Sequence, residues 1–202
     1  TVAHIGIWNG SHAELNIVEC SNLDRERREY NLVVLNPDGK QLAVKQFSIA
    51  PLGTTHINLR DVLKKKLGGR YGTYRIENPA GATSGALTCL TSVYRAAGKK
   101  AKKALEFGYV IPSPISVVGT GGGVLESGLS QELLVYNPGE SEFSAKVEVF
   151  GKAGEIDEQR SFSVAGLKRG EIRKYKFASA GSSSSSSKTK DGSSSLYSVT
   201  PS

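Results

Sequence analysis

Apolar and polar residues alternate along much of this chain. In residues 143–149 (FSAKVEV) every second position is apolar and the positions between are polar. A period of two residues is typical of a strand with one face in a core and the other in water. Similar runs recur about every 8 to 15 residues, separated by Gly, Pro and Asn, which predicts an all-β protein of the β-sandwich type. The predicted strands are residues 30–35, 42–49, 54–59, 71–77, 85–94, 106–111, 131–136, 143–149, 158–165 and 170–177.

The same pattern occurs twice. Residues 22–59 align without a gap on residues 137–174 at an offset of 115 (137 − 22 = 115), and beyond an insertion the alignment resumes at 123 (197 − 74 = 123). The matched positions are apolar or turn residues, and no histidine, lone nucleophile or metal ligand repeats with them. They are Asn22 on Asn137, Leu32 on Val147, Val34 on Val149, Gly39 on Gly154, Phe47 on Phe162, Ile49 on Val164, Leu52 on Leu167, Ile57 on Ile172, Tyr74 on Tyr197 and Ile76 on Val199. We therefore predict two tandem β-sandwich domains, residues 1–115 and 116–202.

Three connecting segments interrupt this pattern. Residues 59–67 have near-helical apolar spacing and are followed by Gly68-Gly69, which predicts a short helix that stops at these glycines. Residues 181–195 are rich in Ser and predict a mobile loop in the second domain. Residues 119–123 (GTGGG) lack the Lys-Ser/Thr of a phosphate-binding loop, so we interpret them as a linker.

The second domain lacks the last strands of the first. At the offset of 123, position 202 corresponds to position 79, before the strands at 85–94 and 106–111. Either the ordered region ends early, or a strand from a partner completes the sheet. The alternating N-terminal segment is the candidate donor strand: Thr1, Val2, Ala3, His4, Ile5, Gly6, Ile7 and Trp8.

The net charge of +7 is unevenly distributed. Residues 1–115 contain 16 Lys and Arg against 9 Asp and Glu, and the remainder contains 10 against 10. A basic surface of this kind is either solvated or binds a polyanion such as acidic polysaccharide. The clusters lack interleaved aromatic residues, which argues against nucleic acid. The candidate contacts are Arg25, Arg27, Arg28, Lys64, Lys65, Lys66, Lys99, Lys100, Lys102 and Lys103.

Two cysteines, Cys20 and Cys89, both lie in strand-like runs of the first domain. They form either a disulfide, which would indicate an oxidising compartment, or two buried thiols. Neither has a His or a second Cys at metal-ligand spacing.

Candidate chemistry is otherwise sparse. His4, His12 and His56 lie apart, and no serine has the context of a nucleophile elbow. We therefore predict a protein that is not an enzyme and has no catalytic residues, cofactor or metal. Trp8 is interpreted either as a core residue or as a residue that stacks on sugar. No window of 18 apolar residues exists, so we expect no membrane span in these residues. The chain has no Met and begins at Thr1, which indicates a removed leader or a longer parent chain.

A resemblance to a known family rests on three features of the sequence. They are the Asn137-Pro138 and Asn78-Pro79 turns, the junction at 107–112 (FGYVIP) and the period of 115 residues. The chain resembles tandem immunoglobulin-like β-sandwich repeats of secreted or surface proteins of bacteria. This resemblance implies a structural, adhesive or spacer module outside the cell. We expect a self-assembling surface or fibre subunit whose partners are its own copies or other surface proteins. The alternative is a module that binds acidic glycan or nucleic acid through the basic first domain.

Overall fold

The computed structural model describes residues 2–10, 15–64, 70–79, 87–96, 105–112, 121–125, 131–151, 153–177 and 195–201. In these residues the chain forms antiparallel sheets and one five-residue helix, so the protein is all-β. The chain divides into two compact units, Thr1–Ile115 and Ser116–Ser202.

Unit 1 contains eight strands and the helix in its described part. They are β1 (Val2–Asn9), β2 (Leu15–Asn22), β3 (Arg28–Leu35), β4 (Gln41–Ile49), β5 (Thr54–Asn58), α1 (Leu59–Leu63), β6 (Tyr71–Glu77), β7 (Leu87–Ala96) and β8 (Leu105–Pro112). The strands form two sheets of four, in the orders β1-β6-β3-β4 and β5-β2-β7-β8. The core lies between these sheets, because strands of both contribute its buried side chains. Such packing follows from the alternation, which gives each strand one apolar face.

Trp8 is part of this core. Its side chain is 1% exposed, and the indole N–H donates to the carbonyl oxygens of Leu35 (3.1 Å) and Thr73 (3.2 Å). A buried indole needs such a partner for its N–H. The core interpretation of Trp8 is therefore confirmed, and the sugar-stacking interpretation is wrong.

Unit 2 contains six strands in its described part. They are β9 (Gly121–Leu125), β10 (Gln131–Tyr136), β11 (Phe143–Phe150), β12 (Phe162–Leu167), β13 (Ile172–Phe177) and β14 (Ser195–Pro201). One sheet has the order β12-β11-β14-β9, and the other pairs β10 with β13. The cluster of buried residues in this unit is centred on β11.

The strand ladders show which positions of the two units correspond. Tyr74 lies opposite Val34, and Tyr197 lies opposite Val149, so both tyrosines occupy the same place in their sheets. The order β12-β11-β14-β9 likewise matches β4-β3-β6-β1.

A buried asparagine occupies corresponding places in the two units. Asn22 donates through Nδ2 to the carbonyl of Glu26 (2.8 Å) and to that of Ala50 (3.1 Å). Asn137 donates to Ser141 (2.7 Å) and Leu167 (2.8 Å). Each side chain thus fixes the loop after its own strand to the end of another strand.

The gapless alignment is wrong beyond the turn after β11. Tyr30 pairs with Phe47, and its counterpart Ala145 pairs with Val164, so Phe47 corresponds to Val164 and the offset there is 117 (164 − 47 = 117). The connection between β11 and β12 is longer than its counterpart in unit 1 and contains an isolated bridge from Phe150 to Ile156.

Two further sequence predictions need correction. Gly121–Gly123 belong to β9 rather than to a linker. The helix ends at Leu63, earlier than predicted, with Lys64 as its C-cap at a φ of 51°. The left-handed C-cap that we expected of a glycine is therefore supplied by a lysine. Gly68 and Gly69, like most of residues 181–195, lie outside the described residues.

Candidate functional site

The strand β10 has one neighbour, β13, among the described strands. Its counterpart in unit 1, β2, lies between β5 and β7. Among the described strands, the side of β10 that faces away from β13 is therefore an edge, and we call it the β10 edge. A two-stranded sheet is marginally stable in water unless something packs against it.

Backbone hydrogen bonds fix which residues face this edge. Asn137 N–H donates to the carbonyl of Glu171 (3.0 Å), and Gly170 N–H donates to the carbonyl of Asn137 (2.8 Å). Hydrogen-bonding directions alternate along an antiparallel strand. Leu133 and Val135 therefore bond toward β13, whereas Glu132 and Leu134 direct their N–H and C=O groups to the β10 edge.

The core of unit 2 is less well covered beside this edge. Leu133, Tyr197 and Val199 are only partly buried in the core. Their counterparts in unit 1, Val18, Tyr74 and Ile76, are each 0% exposed.

Away from the edge the core residues of the two units are equally buried. On the central strand of unit 2, Val147 and Val149 are each 0% exposed, as are Leu32 and Val34 in unit 1. The loss of burial is thus local, and it lies where β7 covers the core of unit 1.

Two other edge strands, β4 and β12, carry features that prevent strand pairing. On β4, Lys45 lies opposite Leu32 and so stands on the core-facing side of an edge strand. On β12, the ladder is irregular, and Arg173 donates to the carbonyls of Ala165 (2.7 Å) and Gly166 (3.2 Å). Inward-pointing charges and bulges are the usual protection of an exposed edge. The core-facing residues of β10 include Leu133 and Val135, neither of which is charged.

The cysteines of unit 1 form a disulfide. Cys20 and Cys89 lie directly opposite each other on β2 and β7, with their Cα atoms 4.2 Å apart. The disulfide therefore joins the strand that covers this part of the core to its neighbour. At the offset of 115 the position of Cys20 is taken in unit 2 by Val135, so unit 2 has no cysteine there.

The candidate donor segment lies in its own unit. Val2–Asn9 form β1, which pairs with β6 from Val2↔Glu77 to Asn9↔Tyr71. In unit 2 the corresponding place beside β14 is taken by β9. Donation of this segment to another copy would require β1 to leave its own sheet. Thr1 lies outside the described residues.

The arginines of the predicted basic set lie around the start of β3. Arg25 and Arg27 are exposed. Arg28 lies 2.7 Å from Asp24 Oδ2 and 3.4 Å from Glu26 Oε2, and the hydrogen bond to Asp24 raises the pKa of its guanidinium. One of the three positive charges is therefore compensated locally.

Lys64 is exposed at the end of α1. The ladder of β2 with β5 runs from Ser21↔Thr54 to Ile17↔Asn58, so α1 and the arginines follow opposite ends of β2. The structure does not bring these two groups together. Polyanion binding stays a prediction, and the remaining members lie outside the described residues: Lys65, Lys66, Lys99, Lys100, Lys102 and Lys103.

One serine, one carboxylate and one histidine meet on the outer face of β2. Glu19 accepts a hydrogen bond from Ser92 Oγ, and its other carboxylate oxygen lies 3.5 Å from His56 Nε2. The carboxylate stands between the hydroxyl and the imidazole, so the imidazole is not placed to take the hydroxyl proton. Within the described ranges, no group of three His, Cys, Asp or Glu side chains could hold a metal ion. No helix in the described ranges has the length and apolar character needed to cross a bilayer.

The sequence indicated only part of this site. It placed β10 at its observed bounds, and within residues 116–202 the alignment placed no counterpart of the strands that follow β6. It did not indicate that Leu133 and Tyr197 would be the partly exposed core residues. The signal was the alignment of Tyr197 with Tyr74, because Tyr74 is covered by β7 in unit 1 and the described strands of unit 2 include no counterpart of β7.

Comparison of the chain with protein-family models, with curated proteins and with solved structures gave no match.

Proposed function

We propose that this protein is a non-enzymatic, extracellular structural module built from two copies of one immunoglobulin-like β-sandwich. Its second copy takes up a strand from another molecule at the β10 edge, and this uptake joins the module to its own copies or to other surface proteins. The matching strand orders and the two buried asparagines support a common origin of the units. The disulfide supports an oxidising compartment, because disulfides persist mainly outside the reducing cytosol.

The observation that carries the proposal is the β10 edge. It combines hydrogen-bonding groups at Glu132 and Leu134 with a partly uncovered core, and it lacks the protection found on β4 and β12. Addition of a strand to such an edge is an established way for proteins to recognise extended segments. A strand passed from one molecule to the next produces an open, fibre-like assembly.

The test uses purified native protein, examined by light scattering over a range of concentrations and by negative-stain electron microscopy. We expect concentration-dependent assemblies. The variant Leu134→Pro removes an N–H group that faces the edge, and proline is tolerated at such positions of edge strands. It should prevent assembly, whereas the matched control Leu134→Ala loses the side chain but keeps the N–H and should still assemble.

Hydrogen exchange decides the case of a monomer. A protein that stays monomeric, with the amides of Glu132 and Leu134 protected as strongly as that of Glu19, would have a complete second sheet. That result would overturn the proposal. Circular dichroism of both variants establishes that they remain folded.

A further inference from the structure

Two pairs of residues show what the β10 edge lacks. Tyr74 lies opposite Gly6 in unit 1, and Tyr197 lies opposite Gly123 in unit 2. A Cβ atom added at Gly6 would overlap the ring of Tyr74, so the glycine leaves the space that the ring occupies. The same pairing of glycine with tyrosine thus occurs in both units.

In unit 1 the hydroxyl of this tyrosine is satisfied by β7. Thr91 Oγ1 hydrogen-bonds with the Tyr74 hydroxyl (3.0 Å) and donates to the carbonyl of Ile7 (2.9 Å). Thr91 is 0% exposed and lies opposite Val18 on β2. Its neighbours on the inward face of β7, Cys89 and Val93, are also small. β7 therefore brings a hydroxyl group and small side chains against the core.

In unit 2, no side chain of the described residues supplies such a hydroxyl. Tyr197 contacts Phe177, with ring centroids 5.2 Å apart, and is partly exposed. Thr91 lies opposite Val18 in unit 1, and Leu133 corresponds to Val18 in unit 2. A residue equivalent to Thr91 would therefore lie opposite Leu133. A strand added at the β10 edge would bury the Tyr197 hydroxyl. A buried hydroxyl without a hydrogen-bond partner costs free energy, so a strand that supplies such a partner is favoured over a purely apolar strand.

From these correspondences we propose the kind of strand that the β10 edge accepts, an inference that rests on the function proposed above. The strand comes from another polypeptide and runs antiparallel to β10. It carries a small hydroxyl residue, Thr or Ser, opposite Leu133, with a small apolar residue two positions away on each side. Its backbone pairs with Glu132 and Leu134. Because Val135 replaces the cysteine of unit 1, the strand is held without a covalent bond and can exchange.

The test uses the full chain and a peptide that copies residues 87–94 of β7 with the change Cys89→Val. We expect this peptide to bind and to slow hydrogen exchange at Glu132 and Leu134. A second peptide with the additional change Thr91→Val keeps the shape and removes the hydroxyl. It should bind about 2- to 10-fold more weakly, the effect of one lost hydrogen bond.

The variant Tyr197→Phe supplies the matched control. It should bind both peptides equally, because the partner of the hydroxyl is absent, whereas the native protein discriminates between them. Tyr197→Phe removes a single oxygen atom, so the variant should remain folded. A third peptide with Thr91→Lys places a charge against the core and should not bind.

Two outcomes overturn the inference. In the first, the copy of β7 fails to protect the β10 edge of a protein that does assemble, which would leave the structural function standing. In the second, the native protein binds the first peptide and the Thr91→Val peptide with equal affinity, which would remove the role of the hydroxyl. Protection of Glu132 and Leu134 in the monomer without peptide would instead overturn both the inference and the proposed function.

Discussion

The pairing of Gly6 with Tyr74 shows how one missing side chain can fix the position of a large one. The ring of Tyr74 is fully buried and lies where a Cβ at Gly6 would be. Such a contact cannot be relieved by a small movement, because protein cores are close-packed.

We therefore expect Gly6→Ala to destabilise unit 1 by about 1–3 kcal/mol, the usual cost of overpacking a core. Tyr74→Leu makes room for the methyl group, so the same change should cost less on that background. Gly123→Ala should also cost less, since Tyr197 is partly exposed and has room to move. Denaturant midpoints of the four variants test this, and equal costs of Gly6→Ala and Gly123→Ala would contradict it.

Asn137 is a buried polar residue with a purely structural explanation. It is 3% exposed, its Nδ2 group donates to Ser141 and Leu167, and its Oδ1 accepts from Gly139 N–H (2.9 Å). Asn137→Ala leaves these groups without their partner, so we expect a loss of about 1–3 kcal/mol in the free energy of unfolding. The partly exposed loop residue Asn36 is the control, and Asn36→Ala should cost clearly less in the same denaturant titration.

His4 makes unit 1 sensitive to mild acid. Burial lowers the pKa of His4 to about 4, and a hydrogen bond with the backbone of Cys89 partly opposes this shift. An unfolded histidine has a pKa of about 6.5, so between these values the unfolded chain binds more protons. The stabilisation is complete above about pH 6.5 and is lost as the pH falls toward 4.

The test of this pH dependence is thermal unfolding between pH 7 and pH 4. We expect His4→Gln to flatten the dependence in that window. In unit 2, hydrogen bonds lower the pKa of Asp157 (from Arg160) and of Glu171 (from the backbone of Lys168). The contributions of Asp157 and Glu171 to the free energy of unfolding are lost only as the pH falls below the normal carboxyl pKa. This range lies at lower pH than the range in which the contribution of His4 begins to be lost. An unchanged profile for His4→Gln would refute the assignment.

At the scale of the element, a disulfide joins β2 to β7 in unit 1, whereas β10, the counterpart of β2, has Val135 at the position of Cys20. Cys20 and Cys89 are separated by 69 residues in the sequence, and cross-linking such a loop stabilises a fold by about 4 kcal/mol in the chain-entropy model. We expect Cys20→Ala/Cys89→Ala to lower the stability of unit 1 by about this amount. A reductant should lower the melting temperature of the native protein and leave that of the double variant unchanged. A native protein insensitive to reductant under unfolding conditions would contradict this prediction.

Strands bounded by clear turn residues were predictable from sequence, and irregular ones were not. β6 and β10 were predicted at their observed bounds, because an Asn-Pro turn follows each of them. β12 was predicted at residues 158–165 but spans Phe162–Leu167. The longer connection before it and the irregular ladder shift its pairing with β11, and neither is visible in the sequence pattern. β9 was missed because a run of glycines has no alternation to detect.

The site could be foreseen only in part from the sequence. The alignment places no counterpart of β7 within residues 116–202, but it does not indicate which sheet is left without a neighbouring strand. Only the ladders show that β10 rather than β14 has the open side. Residues 1–8 were a candidate donor because of their strand pattern, but such a pattern does not indicate which sheet the strand joins.

At the scale of the whole molecule, the charge is concentrated in one half of the chain. Arg25 and Arg27 are exposed, and Arg28 is compensated by Asp24 and Glu26. If this surface binds a polyanion, the affinity for duplex DNA as a probe should fall with salt by a slope of about 0.9 per contacted phosphate.

We expect Arg25→Ser/Arg27→Ser to reduce that slope by about 2 if both arginines contact phosphate. Arg169→Ser is the control, because Arg169 is exposed in unit 2 and paired with Glu140 at 2.5 Å. Binding titrations at four salt concentrations measure the slopes. Equal slopes for the native protein and the double variant would exclude these arginines as contacts.

The bond between Cys20 and Cys89 also has a mechanical consequence. A chain pulled from its ends lengthens as strands unravel, but the segment closed by a disulfide cannot extend. At about 3.4 Å per extended residue, the 69-residue separation withholds about 230 Å of contour length from unit 1. Unit 2 has no such limit. Under tension unit 1 should therefore extend less than its number of residues would allow, whereas unit 2 should extend fully. Reduction of the disulfide should make unit 1 fully extensible as well.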